Sequence, residues 1–464
     1  MSSVRPASSV RPAAVAGTFY PGDAHSLAAE LDELLGAVER PAPRLGFPKA
    51  LVVPHAGYIY SGPVAARAYD DIAPARGIVR RVVLLGPVHR VPVRGLATPA
   101  AEAFATPLGT VPVDREALRA VESLPQVVKS DPAHALEHSL EVQLPFLQKV
   151  LGEFVLAPFA VGMASVEEVA GVIERLWGGP ETLIVISTDL SHYHPYERAR
   201  RIDGATIARI AGLATDIRHE EACGATPLNG LLFLSRKRNC QIKLLAACNS
   251  GDTAGGKDQV VGYSSFGLYE GDEMSLEEAG GKLLSLARAA IESALFGKEF
   301  SVDTLPAWAG QSGASFITLT KAGQLRGCMG SLEAARPLAV DVAENARAAA
   351  FRDPRFPALS AAEWPQCSVE VSLLGAPKPI RFADEADLLA QIRAGEDGLI
   401  VEAAGRRATY LPQVWEAIPD KRMFLAELVK KAGLPADTRL ARCRVHRYRV
   451  VKWTEQSRTG KSAH

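Results

Sequence analysis

The hydrophobic positions in the first half of the chain fall in short, unbroken blocks that end at residues able to turn the backbone. Ala50-Leu51-Val52-Val53 runs into Pro54-His55, Val82-Val83-Leu84-Leu85 into Gly86-Pro87-Val88-His89, and Leu183-Ile184-Val185-Ile186 into Ser187-Thr188-Asp189. A block without polar alternation fits a strand buried on both faces, since a half-exposed strand would place a polar residue at every second position. Further blocks at 154–161, 242–247 and 260–266 predict more strands, and the stretches 26–35, 63–71, 139–150 and 166–176 predict helices between them. Alternating strands and helices imply a layered α/β domain. In open sheets of this kind ligands gather beyond the carboxyl ends of the strands, where loops vary on a rigid scaffold. His55, His89, the Asp189/His192 pair and Cys248 all stand at such ends.

The pattern changes near Glu270-Gly271-Asp272-Glu273. Ser275 and Glu278 have the spacing of a capping box, and Leu283, Leu286, Ala287, Ala290, Ile291 and Ala294 then recur on one helical face. Two domains are therefore expected, residues 1–272 and 273–464. The second mixes strand-like runs at 315–319, 368–374 and 444–451 with amphipathic helices at 338–350 and 424–432, an α+β pattern. The polar tail, 454–464, predicts disorder. Length agrees with two domains, because single cores stop growing at roughly 250–300 residues.

Composition narrows the function classes. Lys plus Arg (52) equals Asp plus Glu (52), so no net field draws in phosphate backbones or anionic lipid, and a nucleic-acid partner is not expected. No run approaches the roughly 20 apolar residues that span a bilayer, and the first residues lack the apolar block of a secretory signal. A cytoplasmic location without a membrane partner is the expectation. The six cysteines show no CxxC pairing and read as reduced thiols. Eight of the ten histidines precede residue 270, which directs the search for chemistry to the first domain.

Neutral imidazole and thiolate are favoured ligands of zinc, iron and copper, and a catalytic site keeps one coordination position open. His55 and His89 are each flanked by residues that turn the chain sharply, so both rings could enter one cleft; singly, each also fits a hydrogen-bonded loop histidine. Cys248 could supply a third donor or be a small buried apolar residue, and Asp252 is a competing anionic ligand. Asp189 and His192 suit an acid–base pair, an imidazole oriented by a carboxylate, but fit equally a helix cap and a first-turn histidine. His138, in Glu137-His138-Ser139, could line the same cleft or support it from behind. In the second domain Arg326 and Cys328 flank Gly327 in what reads as a tight polar turn, where a cation would favour thiolate. Packing of Cys328 beneath that turn is the alternative. Arg355 could bind an anion or pair with Asp353.

Taken together, these segments carry resemblances. Residues from about 11 to 270 resemble the Memo family, through Ala16-Gly17-Thr18-Phe19-Tyr20-Pro21, Pro54-His55-Ala56-Gly57-Tyr58, Gly86-Pro87-Val88-His89, Glu137-His138-Ser139, Ser187-Thr188-Asp189-Leu190-Ser191-His192 and Gly262-Tyr263. Residues from about 275 to 453 resemble the AMMECR family, through Leu325-Arg326-Gly327-Cys328-Met329-Gly330, Asn345-Ala346, Asp353-Pro354-Arg355-Phe356 and Leu411-Pro412-Gln413-Val414-Trp415. The resemblance implies a class III extradiol dioxygenase-like α/β domain followed by a smaller α+β domain. It makes His55, His89 and Cys248 the metal ligands, with His192 and Asp189 beside the open face, and it puts a thiolate where the dioxygenases have a carboxylate.

The expected function is a non-haem iron or copper redox enzyme, with His192, Asp189, His138 and Cys328 as candidate catalytic groups. Both families are encoded alongside a radical-SAM protein, which the resemblance implies as partner in modifying a small molecule or peptide. No CxxxCxxC motif occurs here, so radical chemistry would belong to that partner. Two rival readings are a phosphopeptide- or peptide-binding module without turnover and a zinc-dependent hydrolase.

Overall fold

The computed structural model describes residues 10–39, 46–270, 276–302, 307–435, 438–440 and 443–455. The chain divides into two compact units, Met1–Val38 with Phe47–Glu273 and Glu39–Gly46 with Met274–His464. Ser275 and most of the polar tail fall outside the described residues, as does the predicted capping box.

The first unit is built on a mixed nine-stranded sheet. Its strands are β1 (Ala50–Val53), β2 (Arg81–Pro87), β3 (Leu96–Thr98), β4 (Val127–Lys129), β5 (Val155–Val161), β6 (Thr182–Ser187), β7 (His192–His194), β8 (Gln241–Asn249) and β9 (Val260–Tyr269). They lie in the order β7-β9-β1-β6-β2-β5-β3-β4, with β8 paired to the other length of β9. The apolar blocks form the parallel centre: β1 pairs β6, β6 pairs β2, and β2 pairs β5. Every residue of β1 and β6 is buried, which is why neither shows polar alternation. Helices close this core. Leu27 and Leu31 of Ala24–Gly36 are fully buried, and truncating a leucine so placed to alanine typically costs about 2–5 kcal/mol. Gly62 lets that helix meet Tyr58–Asp71 closely, since a Cβ there would lie 2.9 Å from Leu34 Cδ1.

The predicted helix over 139–150 is shorter. Residues 137–140 run irregularly past the strand ends, a 3-10 turn spans Glu141–Gln143, and the helix begins at Leu144 with Pro145 in its first turn, where no backbone N–H is needed.

The second unit holds two antiparallel sheets. One centres on Ser312–Lys321 between Gln324–Gly330 and Cys367–Leu374; the other orders Lys378–Ile380, Arg444–Tyr448, Gly398–Ala403 and Arg406–Tyr410. The single strand predicted at 444–451 is two, Arg444–Tyr448 and Val450–Thr454, which serve different sheets. Gly327 and Gly330 lie within a strand and not in the expected turn. They permit close approach: a Cβ on Gly327 would meet the Ala349 carbonyl oxygen at 2.2 Å, and one on Gly330 would enter the Phe316 ring. Among the described residues no helix is long and apolar enough to cross a membrane.

Candidate metal centre

Three neighbouring strands deliver the site. His55 follows β1 by two residues, His89 follows β2 by two and Asp189 follows β6 by two, and β1, β6 and β2 are adjacent and parallel. The loop between the short helix Asp131–Ala135 and the turn at Glu141 adds Glu137, His138 and Ser139. Ring centroids of His55 and His89 are 5.3 Å apart, of His55 and His138 5.4 Å, and of His89 and His138 4.8 Å. One nitrogen from each of these rings lies within 4.8 Å of the others, an arrangement that could hold a metal ion.

The outer nitrogens of His55 and His89 are fixed by hydrogen bonds. His55 Nδ1 is 2.9 Å from Ser187 Oγ, whose own proton goes to the Ser139 carbonyl at 2.6 Å while Gln143 Nε2 donates to it at 2.9 Å. Ser187 can therefore only accept from His55, which places the ring proton on Nδ1 and the lone pair on Nε2. His89 Nδ1 lies 2.9 Å from Glu137 Oε1, and the other Glu137 oxygen accepts the His89 backbone N–H at 2.7 Å. A carboxylate behind a ligating imidazole sets its tautomer and raises its basicity. His138 Nδ1 is 3.4 Å from the same carboxylate.

The loop that carries Glu137 and His138 is itself clamped. Glu141, with no exposed surface, accepts from the Arg11 guanidinium, the Ala14 and Val15 backbone N–H groups and the Tyr20 hydroxyl. Arg11 also donates to the carbonyls of His134 and Glu137. Ser139 Oγ donates to the Pro87 carbonyl, and a Cβ on Gly86 would stand 2.8 Å from that hydroxyl. Glycine at 86 thus leaves room for Ser139 and Leu140 as the loop lies across β2.

Burial, followed by the charges of His138 and His89, lowers the proton affinity of His55 well below the ordinary imidazole value; burial lowers that of His138 too. Neutral rings are the ligating form. Burial alone would raise Glu137, but the bond and charge of His89 and the Ser139 and His89 N–H groups hold it at about 2. Asp189 is pushed the other way by burial, against the bond from His55 and the nearby histidines.

The sequence-derived candidates are distributed as follows. Asp189 is no helix cap: its Oδ1 accepts the His55 backbone N–H at 2.7 Å, and the next helix starts only at Tyr196. His192 lies in β7 opposite Val261, half-buried, beside a register shift where Tyr193 takes a φ of 58°. Such bulges re-aim neighbouring side chains. His138 joins the imidazole group. Cys248 does not: it sits near the end of β8 opposite Tyr263, half-buried, its thiol pushed up to about 11 by burial and the Asp252 carboxylate. Asp252 accepts from the Tyr196 hydroxyl and the Asn249 N–H. In the other unit Cys328 accepts from the Thr318 hydroxyl at 3.4 Å, and Arg355 pairs with Asp353. The sequence reading gave no role to Glu137, Ser187, Gln143 or Cys223. A glutamate directly before His138 was the available signal for the first; Cys223, whose sulfur is 3.3 Å from His55 Nε2, carries none in its spacing.

Family comparisons match two separate stretches of the chain. Residues 11–267 match the family described as Memo-like protein, and residues 284–453 match AMMECR1. A MEMO1 family protein of Aquifex aeolicus is 38% identical over 270 residues, 55% of this chain and 97% of its own length. Another from Ignicoccus hospitalis is 36% identical over 280 residues, covering 55% of this chain and 97% of that protein. Among solved structures, an uncharacterized protein from Pyrococcus horikoshii is 34% identical over 40% of this chain and 95% of its own, with a TM-score of 0.37.

Proposed function

We propose that this chain, which belongs to the Memo-like family and carries an AMMECR1 domain after it, is a metal-dependent enzyme whose ion is held by His55, His89 and His138. The observation that carries the reading is the convergence of three imidazoles, two of which, His55 and His89, have their outer nitrogens already engaged by Ser187 and Glu137, so that ring nitrogens remain for a metal. Imidazole donors suit iron, copper and zinc. When bound, the metal would supply electron transfer or Lewis acidity. The likeness to extradiol dioxygenases favours iron or copper and redox turnover on a small molecule or peptide, within a pathway shared with a radical-SAM protein.

Asp189, buried and raised in proton affinity, can hold a proton at its carboxylate beside the imidazoles; half-buried His192 can pass one between that carboxylate and solvent. Phe19, whose ring centroid is 4.9 Å from that of His138, shields that imidazole from water. A second reading, zinc-assisted hydrolysis, is favoured by the donor set itself, because three neutral imidazoles leave the charge of the ion uncompensated and acidify water.

Elemental analysis of protein purified without air tests the proposal. The expected result is about one equivalent of iron or copper in the wild type, lost in His55→Ala with the fold retained. Stoichiometric zinc moves the reading to hydrolysis. Equal metal content in wild type and variant overturns it.

A further inference from the structure

We infer that a cavity of the second unit, walled by Arg336 and Arg407, is a binding site for a small molecule carrying one carboxylate group, which enters by displacing the side chain of Glu333. The site shares no residue with the imidazole centre, so the inference does not rest on the metal reading.

The cavity follows from the way the chain leaves the strand Gln324–Gly330. The Ser331 N–H donates to the Ser315 carbonyl at 2.9 Å, and the Ala335 N–H closes a tight turn on the Glu333 carbonyl, also at 2.9 Å. Arg336–Pro337 then pairs with Ser312 and Gly313, so the loop folds back on the neighbouring strand. Leu332 anchors the turn, packing against an apolar cluster that takes Ala314 from one sheet and Ile400 from the other. An open cavity of about 480 Å³ remains, and Arg336, Asp341, Glu333 and Arg407 all reach it.

The two guanidinium groups are held differently. Arg336 Nε donates to Asp341 Oδ1 at 2.9 Å, and its Nη2 donates to Ser331 Oγ and Asn345 Oδ1, both at 3.3 Å. That cation is neutralised and fixed in direction by groups of the fold. Arg407 bonds, among the described residues, to Glu333 alone and through Nη1 alone, which leaves its Nε and Nη2 for a ligand. Its side chain is 31% exposed against 68% for Glu333, so the cation belongs to the cavity wall while its partner stands in solvent. An ion pair so open to water contributes little, and a competing carboxylate can replace Glu333. Glu333 thus sits on Arg407 as a ligand's own carboxylate would.

Charge selects the ligand. Two cations already face two carboxylates, and Asp341 is saturated by the fold's own donors. An entering group with one negative charge takes over the balance that Glu333 gives up, whereas a dianion leaves one charge uncompensated. The planar guanidinium also matches a carboxylate through two parallel bonds. Leu332 and Ala335 offer an apolar surface to the rest of the molecule.

Sodium benzoate titrated into the chelator-treated full-length chain, with saturation-transfer nuclear magnetic resonance on the benzoate ring, tests the site. Saturable binding is expected in the wild type. Glu333→Gln should tighten it by up to about 5-fold, because the competing ion pair is gone. Arg407→Gln should weaken it roughly 10-fold or more, through loss of charged hydrogen bonds. Opposite shifts exclude misfolding, which would weaken binding in both variants. Neutral benzamide should not displace benzoate, and sulfate, a dianion, should displace it less well than acetate. No saturation in the wild type, affinity unchanged in Arg407→Gln or lowered in Glu333→Gln, or displacement by benzamide overturns the inference. Sulfate displacing better than acetate overturns the assignment to a carboxylate.

Discussion

Each unit buries a dense polar cluster, and the two clusters differ in what they leave unsatisfied. In the second unit the Asp341 carboxylate, with no exposed surface, accepts from the Ser315 N–H and hydroxyl, Asn345 Nδ2, the Ser331 hydroxyl and Arg336 Nε. Its two oxygens are saturated by the protein's own donors. In the first unit the supporting groups are equally well satisfied, yet they end in imidazoles whose second nitrogens the chain does not consume by strong bonds. A closed network stabilises a fold; an open one presents coordination capacity. The contrast explains why the AMMECR-type segments, though distinctive in sequence, read here as packing. Asn345 completes the Asp341 cluster, Ala349 meets Gly327, and Arg355 is held by Asp353.

The contrast can be broken by mutating each cluster at its centre. Asp341→Ala strands the Ser315 N–H and the Asn345 amide and should lower the stability of the second unit by on the order of 2–3 kcal/mol. Metal content should be unchanged; thermal unfolding followed alongside elemental analysis separates the two effects. Loss of metal in this variant would mean that the clusters are not independent. Glu137→Gln should instead weaken metal affinity roughly 10–100-fold, because it removes the charge behind His89, together with some loss of stability above about pH 4.5, since the fold holds this carboxyl at about 2. Competition with a chelator of known affinity measures this.

The smallest effect is expected from Glu363, where bonds from Arg326 and then Lys321 hold the carboxyl at about 2, below its ordinary 4.5. A depressed carboxyl contributes stability above its unfolded value and loses it as pH falls through the folded one. Wild type should therefore lose stability between about pH 4.5 and 2, and Glu363→Gln should flatten that dependence in acid titrations followed by circular dichroism. Unchanged slopes would remove the pair from the account.

Much of this was legible before the fold was known. The buried strands announced themselves through unbroken apolar blocks, and their exits placed His55, His89 and Asp189 because adjacency of parallel strands converts sequence position into a shared cleft. The role of His138 was only half-legible. Its loop belongs to no strand, and what carries it into the site is the buried Glu141 clamp reaching back to Arg11 and Tyr20, more than a hundred residues away. Asp189 resembled a helix cap because local spacing cannot show that a neighbouring loop's N–H will claim the carboxylate. Cys223 was invisible for a related reason: its contact with His55 joins residues 168 apart and depends on a glycine fitting under a carbonyl.

The central claim is that His138, with His55 and His89, forms one metal site. Pulsed electron paramagnetic resonance of the copper(II)-loaded full-length chain counts coordinated imidazoles through their remote nitrogens. Three are expected in the wild type and two in His138→Ala. Two in both proteins would contradict the account and return His138 to a supporting place in the loop.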